Sequence, residues 1–143
     1  MSLLICLSMT SVSLNAEDYV AWETDNDEIR QALNGLKGNA VRGRQLAIDQ
    51  DKGNCLSCHH LPIPEEIFHG NVGPDLHGVA SRLTQGQLRL RVVDEKIINP
   101  LTIMPGYYRD PEKLRLVANE YYGKTMLSAQ EIEDVVAYLM TLK

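Results

Sequence analysis

Aromatic side chains are scarce in this 143-residue sequence, which holds one Phe, one Trp and six Tyr. A core of ordinary density must be built from aliphatic residues and tyrosines, and the shortage leaves room for a large non-protein group. Basic charge is short as well. The 14 Lys and Arg against 19 Asp and Glu give a net charge of −5 and a pI near 5.3, without the positive field that a phosphate backbone requires, which argues against nucleic acid as a partner. No apolar run approaches the length of a membrane span. Internal repeats and low-complexity linkers are absent too. What is present, 44% hydrophobic and 23% charged residues at this length, fits one folded domain rather than a disordered chain or two cores.

Cysteines number three, and one of them, Cys6, lies in residues 1–16, a stretch with no charged side chain and an apolar run at Leu3, Leu4, Ile5, Cys6 and Leu7. The pattern reads as a secretory signal peptide cleaved near Ala16, and export to the periplasm follows from it. Residues 17–38 form an acidic extension that reads as solvated chain, and residues 39–143 carry the main domain. Removal of the signal leaves Cys55 and Cys58 as the remaining thiols. Two intervening residues close too small a loop for a useful disulfide clamp, so the pair is expected to serve chemistry rather than cross-linking.

The elements read all-α. Residues 40–50 hold good helix formers without Pro and stop at Lys52-Gly53-Asn54. Pro62, Pro64, Gly70, Gly73, Pro74 and Gly78 forbid regular structure across 61–78, which is expected to be a loop wrapped on something. Across 87–98, Leu90, Val93 and Ile97 share a face with Leu88 and Val92 beside it, and Asn99-Pro100 ends the helix. A short helix is expected to begin at Pro111 and run through Leu114, Val117 and Ala118. Ser128 and Glu131 make a capping box ahead of the stripe Ile132, Val135, Val136 and Leu139, which predicts a C-terminal helix.

Cys55-Leu56-Ser57-Cys58-His59 is a C-x-x-C-H sequence, the attachment signature of a c-type haem. Two thiols at this spacing reach the two vinyl groups of a porphyrin while the adjacent imidazole of His59 is delivered to the iron. A zinc site from Cys55, Cys58, His69 and His77 is weaker, because its histidines are spaced too widely for a finger, and a thioredoxin-like pair lacks a βαβ context. For the second axial position the candidates are Met104, Met126, Met140, His60, His69 and His77. Met104 is favoured, since Pro100 and Pro105 bracket it in an extended segment, while Met126 and a histidine stay as alternatives. A Met ligand raises the potential and leaves no open position for oxygen, which points to electron transfer. In Gly73-Pro74-Asp75-Leu76 the carbonyl of Pro74 can accept the ring N–H of His59 and fix its orientation. Arg82, Arg89 and Arg91 could neutralise haem propionates or meet an acidic partner surface, but a solvated helix face is expected for them.

On these residues the chain resembles the monohaem class I cytochromes c: the helix before Cys55, C-x-x-C-H, Gly73-Pro74-x-Leu76, Met104-Pro105 and the closing Glu133-Asp134-Val135-Val136-Ala137-Tyr138-Leu139. A narrower likeness, to the SoxX subunits of the SoxAX cytochromes of sulfur oxidation, rests on Gly53-Asn54-Cys55, Pro62-Ile63-Pro64-Glu65-Glu66, Phe68-His69-Gly70, the run from Leu88 to Asp94, and Asn99-Pro100-x-Thr102-Ile103-Met104-Pro105. The resemblance implies a class I fold in which the N- and C-terminal helices cross around one covalently bound haem c, with Gly43 permitting close approach and Tyr138-Leu139 filling the contact. It further implies a periplasmic electron-transfer subunit paired with a SoxA-type cytochrome. Such pairs couple thiosulfate oxidatively to a cysteine of a SoxY-type carrier protein and pass electrons to a small acceptor cytochrome c. The chain would then be a non-catalytic subunit of an L-cysteine S-thiosulfotransferase complex, with no role at a membrane. A free-standing, diffusible monohaem carrier is the alternative reading, and a haem-based sensor would require that Met104 be displaceable.

Overall fold

The computed structural model describes residues 19–143, so the proposed signal peptide at 1–16 lies outside the described residues. Three helices carry the architecture: α1 (Ala40–Ile48), α2 (Gln85–Asp94) and α3 (Ala129–Leu139). Among the described residues no strand forms, only an isolated bridge between Asp25 and Glu28, and no helix is long and apolar enough to cross a membrane.

The first and last helices cross in contact. At Gly43 an added Cβ would lie 1.9 Å from the backbone oxygen of Asp134 and 2.9 Å from the Cβ of Tyr138, so only glycine lets α1 approach α3 this closely. Gly38, just ahead of α1, meets α3 in the same way, 2.0 Å from the oxygen of Glu133. Asn39 caps α1 by accepting from the amides of Val41 and Arg42, and its own amide donates to Asp134 Oδ1 at 2.7 Å, so the cap and the crossing share one carboxylate. The expected capping box of Ser128 and Glu131 starts α3, whose Ile132, Val135, Val136 and Leu139 are all buried.

α2 departs from expectation at both ends. It begins at Gln85 because Thr84 and Gln87 form a second capping box, and it closes at Asp94, followed by a tight turn over Glu95–Ile97. Leu88, Leu90, Val92 and Val93 are buried as expected, whereas Ile97 falls beyond the helix and is exposed. Arg89 also contradicts expectation. It is buried, not solvated, and forms a two-pronged ion pair with Glu133 of α3, Nε to Oε1 at 2.7 Å and Nη2 to Oε2 at 2.9 Å. Arg91 is half-buried and pairs with Glu95 one turn on, while Arg82 donates to the carbonyls of His77 and Asp75.

The acidic segment before α1 is not simply solvated chain. Asp25, Asn26 and Asp27 are exposed, but Ile29 and Leu33 enter the core. Arg89 donates to the carbonyl of Ile29 at 2.6 Å and Glu133 accepts from the amide of Leu33 at 2.9 Å, so the buried pair also anchors this segment. The helix expected from Pro111 does not form either. Only Pro111–Lys113 makes a single turn, Leu114 is extended and Leu116 stands in solvent. A helix this short is marginal without an apolar surface to pack on, and Leu116 has none.

Candidate functional site

The attachment motif follows α1 directly. Asn54 adopts a left-handed conformation at φ 46°, which turns the chain into the tight turn Cys55–Ser57 and delivers His59, whose amide donates to the carbonyl of Cys55 at 2.9 Å. Gly53 sits beneath, its carbonyl accepting from the hydroxyl of buried Tyr107.

Residues 61–78 wrap this turn. The amide of Gly70 donates to Leu56 O at 2.7 Å, that of Gly73 to Cys58 O at 2.8 Å and that of Leu76 to His60 O at 3.0 Å. At Gly70 an added Cβ would meet Ser57 O at 2.1 Å, and at Gly73 it would meet the His59 ring at 2.4 Å. These two glycines therefore let backbone lie flat against the motif. The ring of His59 is oriented by Nδ1, 2.7 Å from the carbonyl of Pro74. With Nδ1–H turned to that carbonyl, Nε2 is the nitrogen left to face an iron.

Cys55 and Cys58 are unpaired and half-buried. Burial pushes the Cys55 thiol up to about 11, and among the described residues no strand supplies the βαβ context of a thioredoxin-like pair. The zinc alternative fails on geometry. His69 has both ring nitrogens engaged, Nδ1 by the amide of Leu61 and Nε2 by the carbonyl of Glu66, and His77 groups instead with His60 and Asp75. The motif residues thus fit a covalently attached haem: two unpaired thiols, one imidazole held by its far nitrogen, and a glycine cradle against that imidazole.

Met104 is half-buried against the core, its amide donating to Thr102 Oγ1. The segment that carries it is pinned to the end of α2. Tyr107 and Tyr108 donate their amides to Val92 and Val93, Asp94 pairs with Arg109 at 3.0 Å, and a Cβ on Gly106 would crowd both side chains. Met126 lines two clefts beside Tyr121 and Lys124, and none of Cys55, Cys58, His59 or Met104 lines either. Met140 packs on the core at the end of α3.

Around the motif and Met104, large apolar side chains face outward: Ile67, Phe68 at 87% exposure and Val72 in the wrapping loop, and Leu101 at 91% and Ile103 ahead of Met104. Sequence reasoning missed the close-approach role of Gly70 and Gly73 and the Arg89–Glu133 pair. Arg89 lies between Leu88 and Leu90 and Glu133 follows Ile132 along the chain, but no local signal pairs two charges 44 residues apart.

A protein-family model described as Cytochrome c matches residues 40–143. Among solved structures, a chain of the crystal structure of SoxXA from P. pantotrophus is similar at 32% identity with a TM-score of 0.77, over 85% of this chain and 94% of that chain. No curated protein sequence matches the chain significantly.

Proposed function

The chain belongs to the cytochrome c family and is of the SoxX type, and on that premise we propose that it is the electron-transfer subunit of a periplasmic SoxAX-like complex. As a class I cytochrome c it carries haem c covalently and transfers electrons. Bound haem c supplies a one-electron iron couple. In the proposed reading Cys55 and Cys58 would hold it through thioethers, His59 and Met104 would ligate the iron, and Pro74 would set the orientation and basicity of His59 through the 2.7 Å contact at Nδ1.

The partner is a SoxA-type cytochrome. The observation that carries this is the likeness to a chain of the SoxXA structure, at 32% identity and a TM-score of 0.77 over 94% of that chain. Ile67, Phe68, Val72, Leu101 and Ile103, exposed on the two segments that bear Pro74 and Met104, offer apolar surface to the haem and to a docking partner. Within the complex, thiosulfate is joined oxidatively to a cysteine of a SoxY-type carrier and this chain passes the electrons to an acceptor cytochrome c. With Cys55 and Cys58 assigned to thioethers and Cys6 in the expected signal peptide, the mature chain would keep no cysteine for the sulfur chemistry, which is assigned to the partner. The signal peptide expected at 1–16 is consistent with export.

Reconstitution tests the proposal. Thiosulfate should reduce the haem, read at its visible absorption bands, only when a SoxA-type subunit and the carrier protein are both added. Equal reduction of the isolated protein, or failure to form a stable complex, would favour the free-standing carrier. The ligand assignment has its own test: Met104→Ala should abolish the red-region sulfur-to-iron band of the oxidised protein, whereas loss of that band in Met126→Ala would move the ligand.

A further inference from the structure

The wrapping loop brings together a second group of ligating side chains that the reading above does not use. His60 Nδ1 and His77 Nδ1 lie 3.3 Å apart, Asp75 Oδ1 is 2.7 Å from His77 Nδ1, and Asp75 Oδ2 is 3.6 Å from His60 Nδ1. Around a transition ion bound at about 2.0–2.2 Å, neighbouring donor atoms sit about 3–3.5 Å apart; the two imidazole nitrogens already have that spacing, and the Asp75 carboxylate turns one oxygen to each ring, the three groups offering ligand atoms within 4.8 Å of one another. We propose that His60, Asp75 and His77 bind one divalent transition ion of the zinc and copper class on the flank of the attachment loop.

Three features favour a built site over a chance surface cluster. The first is backbone restraint: the Leu76 amide donates to His60 O at 3.0 Å, Arg82 donates to the carbonyls of His77 at 2.6 Å and Asp75 at 2.8 Å, and the His77 amide donates to Asp75 Oδ1 at 2.7 Å. The second is ring placement, since His60 and His77 stack with centroids 4.9 Å apart and an interplanar angle of 21°, and His69 packs on His60 at 4.7 Å. His69 supports the site without joining it, because Leu61 and Glu66 occupy both of its ring nitrogens. The third is donor chemistry. Two imidazoles and a single carboxylate select imidazole-preferring ions such as zinc and copper over calcium or magnesium, which take oxygen ligands. All three side chains are exposed, so an ion reaches them from solvent and water completes its coordination.

The position gives the site a consequence that rests on the proposed haem ligation. His60 is the neighbour of His59 and Asp75 the neighbour of Pro74, and the contact between His59 and Pro74 orients the proximal ring. A doubly charged ion there disfavours the oxidised, more positive iron and raises the reduction potential.

The test uses the untagged, haem-loaded full chain. Calorimetric titration with zinc(II) should show one equivalent bound, and copper(II) should give an electron-spin signal with coupling to two nitrogens. His77→Ala should weaken zinc binding at least tenfold and reduce the copper coupling to one nitrogen, with Asp75→Asn weakening it less. The haem absorption spectrum confirms that each variant is folded. Absence of a stoichiometric zinc event, or binding unchanged in His77→Ala, overturns the site whatever the haem does. A positive potential shift on zinc addition that His77→Ala removes supports its place beside His59. Zinc binding lost in the variant but without any shift upholds the site and overturns that consequence.

Discussion

The crossing of α1 with α3 and the loops that flank the proposed haem ligands solve opposite problems. At the crossing, polar groups find partners within the chain. Asp134 of α3 accepts from Asn39, Arg42 and Gln130, and α3 also receives Arg89 of α2 at Glu133. Glycines let the backbones touch. In residues 61–78 and 99–106 the backbone is just as well anchored, yet Phe68, Leu101 and Ile103 point into solvent. The contrast separates a scaffold that is complete in itself from a surface that something other than the chain must finish.

Disrupting the scaffold should therefore cost stability, and disrupting the loop surface should cost association. The largest effect is expected for Arg89→Met, which leaves Glu133 buried and unpaired and should destabilise the haem-loaded protein by about 3–5 kcal/mol in denaturant titrations. Arg89→Met combined with Glu133→Leu should recover only part of the loss, because the unpaired buried charge is gone but the Ile29 carbonyl and the Leu33 amide still lose their partners. A single variant as stable as the parent would show that the pair is not the internal anchor described here.

Next comes Gly43→Ala, whose methyl must displace the α3 backbone and should cost about 3 kcal/mol, with a matching fall in the denaturant midpoint. A neutral result would mean that the two helices sit farther apart than described.

A smaller, pH-dependent effect is expected at Asp134. Burial alone would raise its carboxyl, but hydrogen bonds from Arg42, the Asn39 amide and Gln130 outweigh burial and hold it below its ordinary value. A depressed carboxyl contributes stability that is fully present above the unfolded value near about 3.9 and is lost as pH falls through the folded one. The stability gap between the parent and Asp134→Asn should be constant around neutrality and shrink below about pH 4. Urea midpoints measured at both pH values check this, and a gap that widens in acid would reverse the assignment.

The smallest stability effect belongs to the loops. Phe68→Ser should change stability by less than about 0.5 kcal/mol while weakening co-elution with a SoxA-type partner. A loss of stability comparable to that of Gly43→Ala would erase the distinction between scaffold and loop surface.

Much of this molecule was legible along the chain. The all-α class, α1, the capping box of α3 with its apolar stripe, the irregular wrapping of 61–78 and the approach at Gly43 follow from signals that lie within a few residues or in the resemblance to class I cytochromes c. The approach of His59 to Pro74 was expected as well, because the motif and the Gly-Pro turn name their own chemistry.

By itself, then, the sequence determined which segments are helical and which residue types are offered to a haem, because capping, periodicity and C-x-x-C-H spacing are properties of a short stretch of chain. Tertiary structure alone decided which charges are buried and which loose segments are held. Arg89 sits on a helix surrounded by buried positions, and nothing within α2 says that Glu133, 44 residues later, will meet it. Leu114, Val117 and Ala118 have helical spacing but form no helix and stay outside the buried core, while Ile29 and Leu33 lack helical context yet are anchored by that same ion pair. The convergence of His60, Asp75 and His77 is equally non-local. Burying a charge, ordering a segment or assembling a ligand set depends on what another part of the chain places opposite it, and that information exists only once the chain has folded.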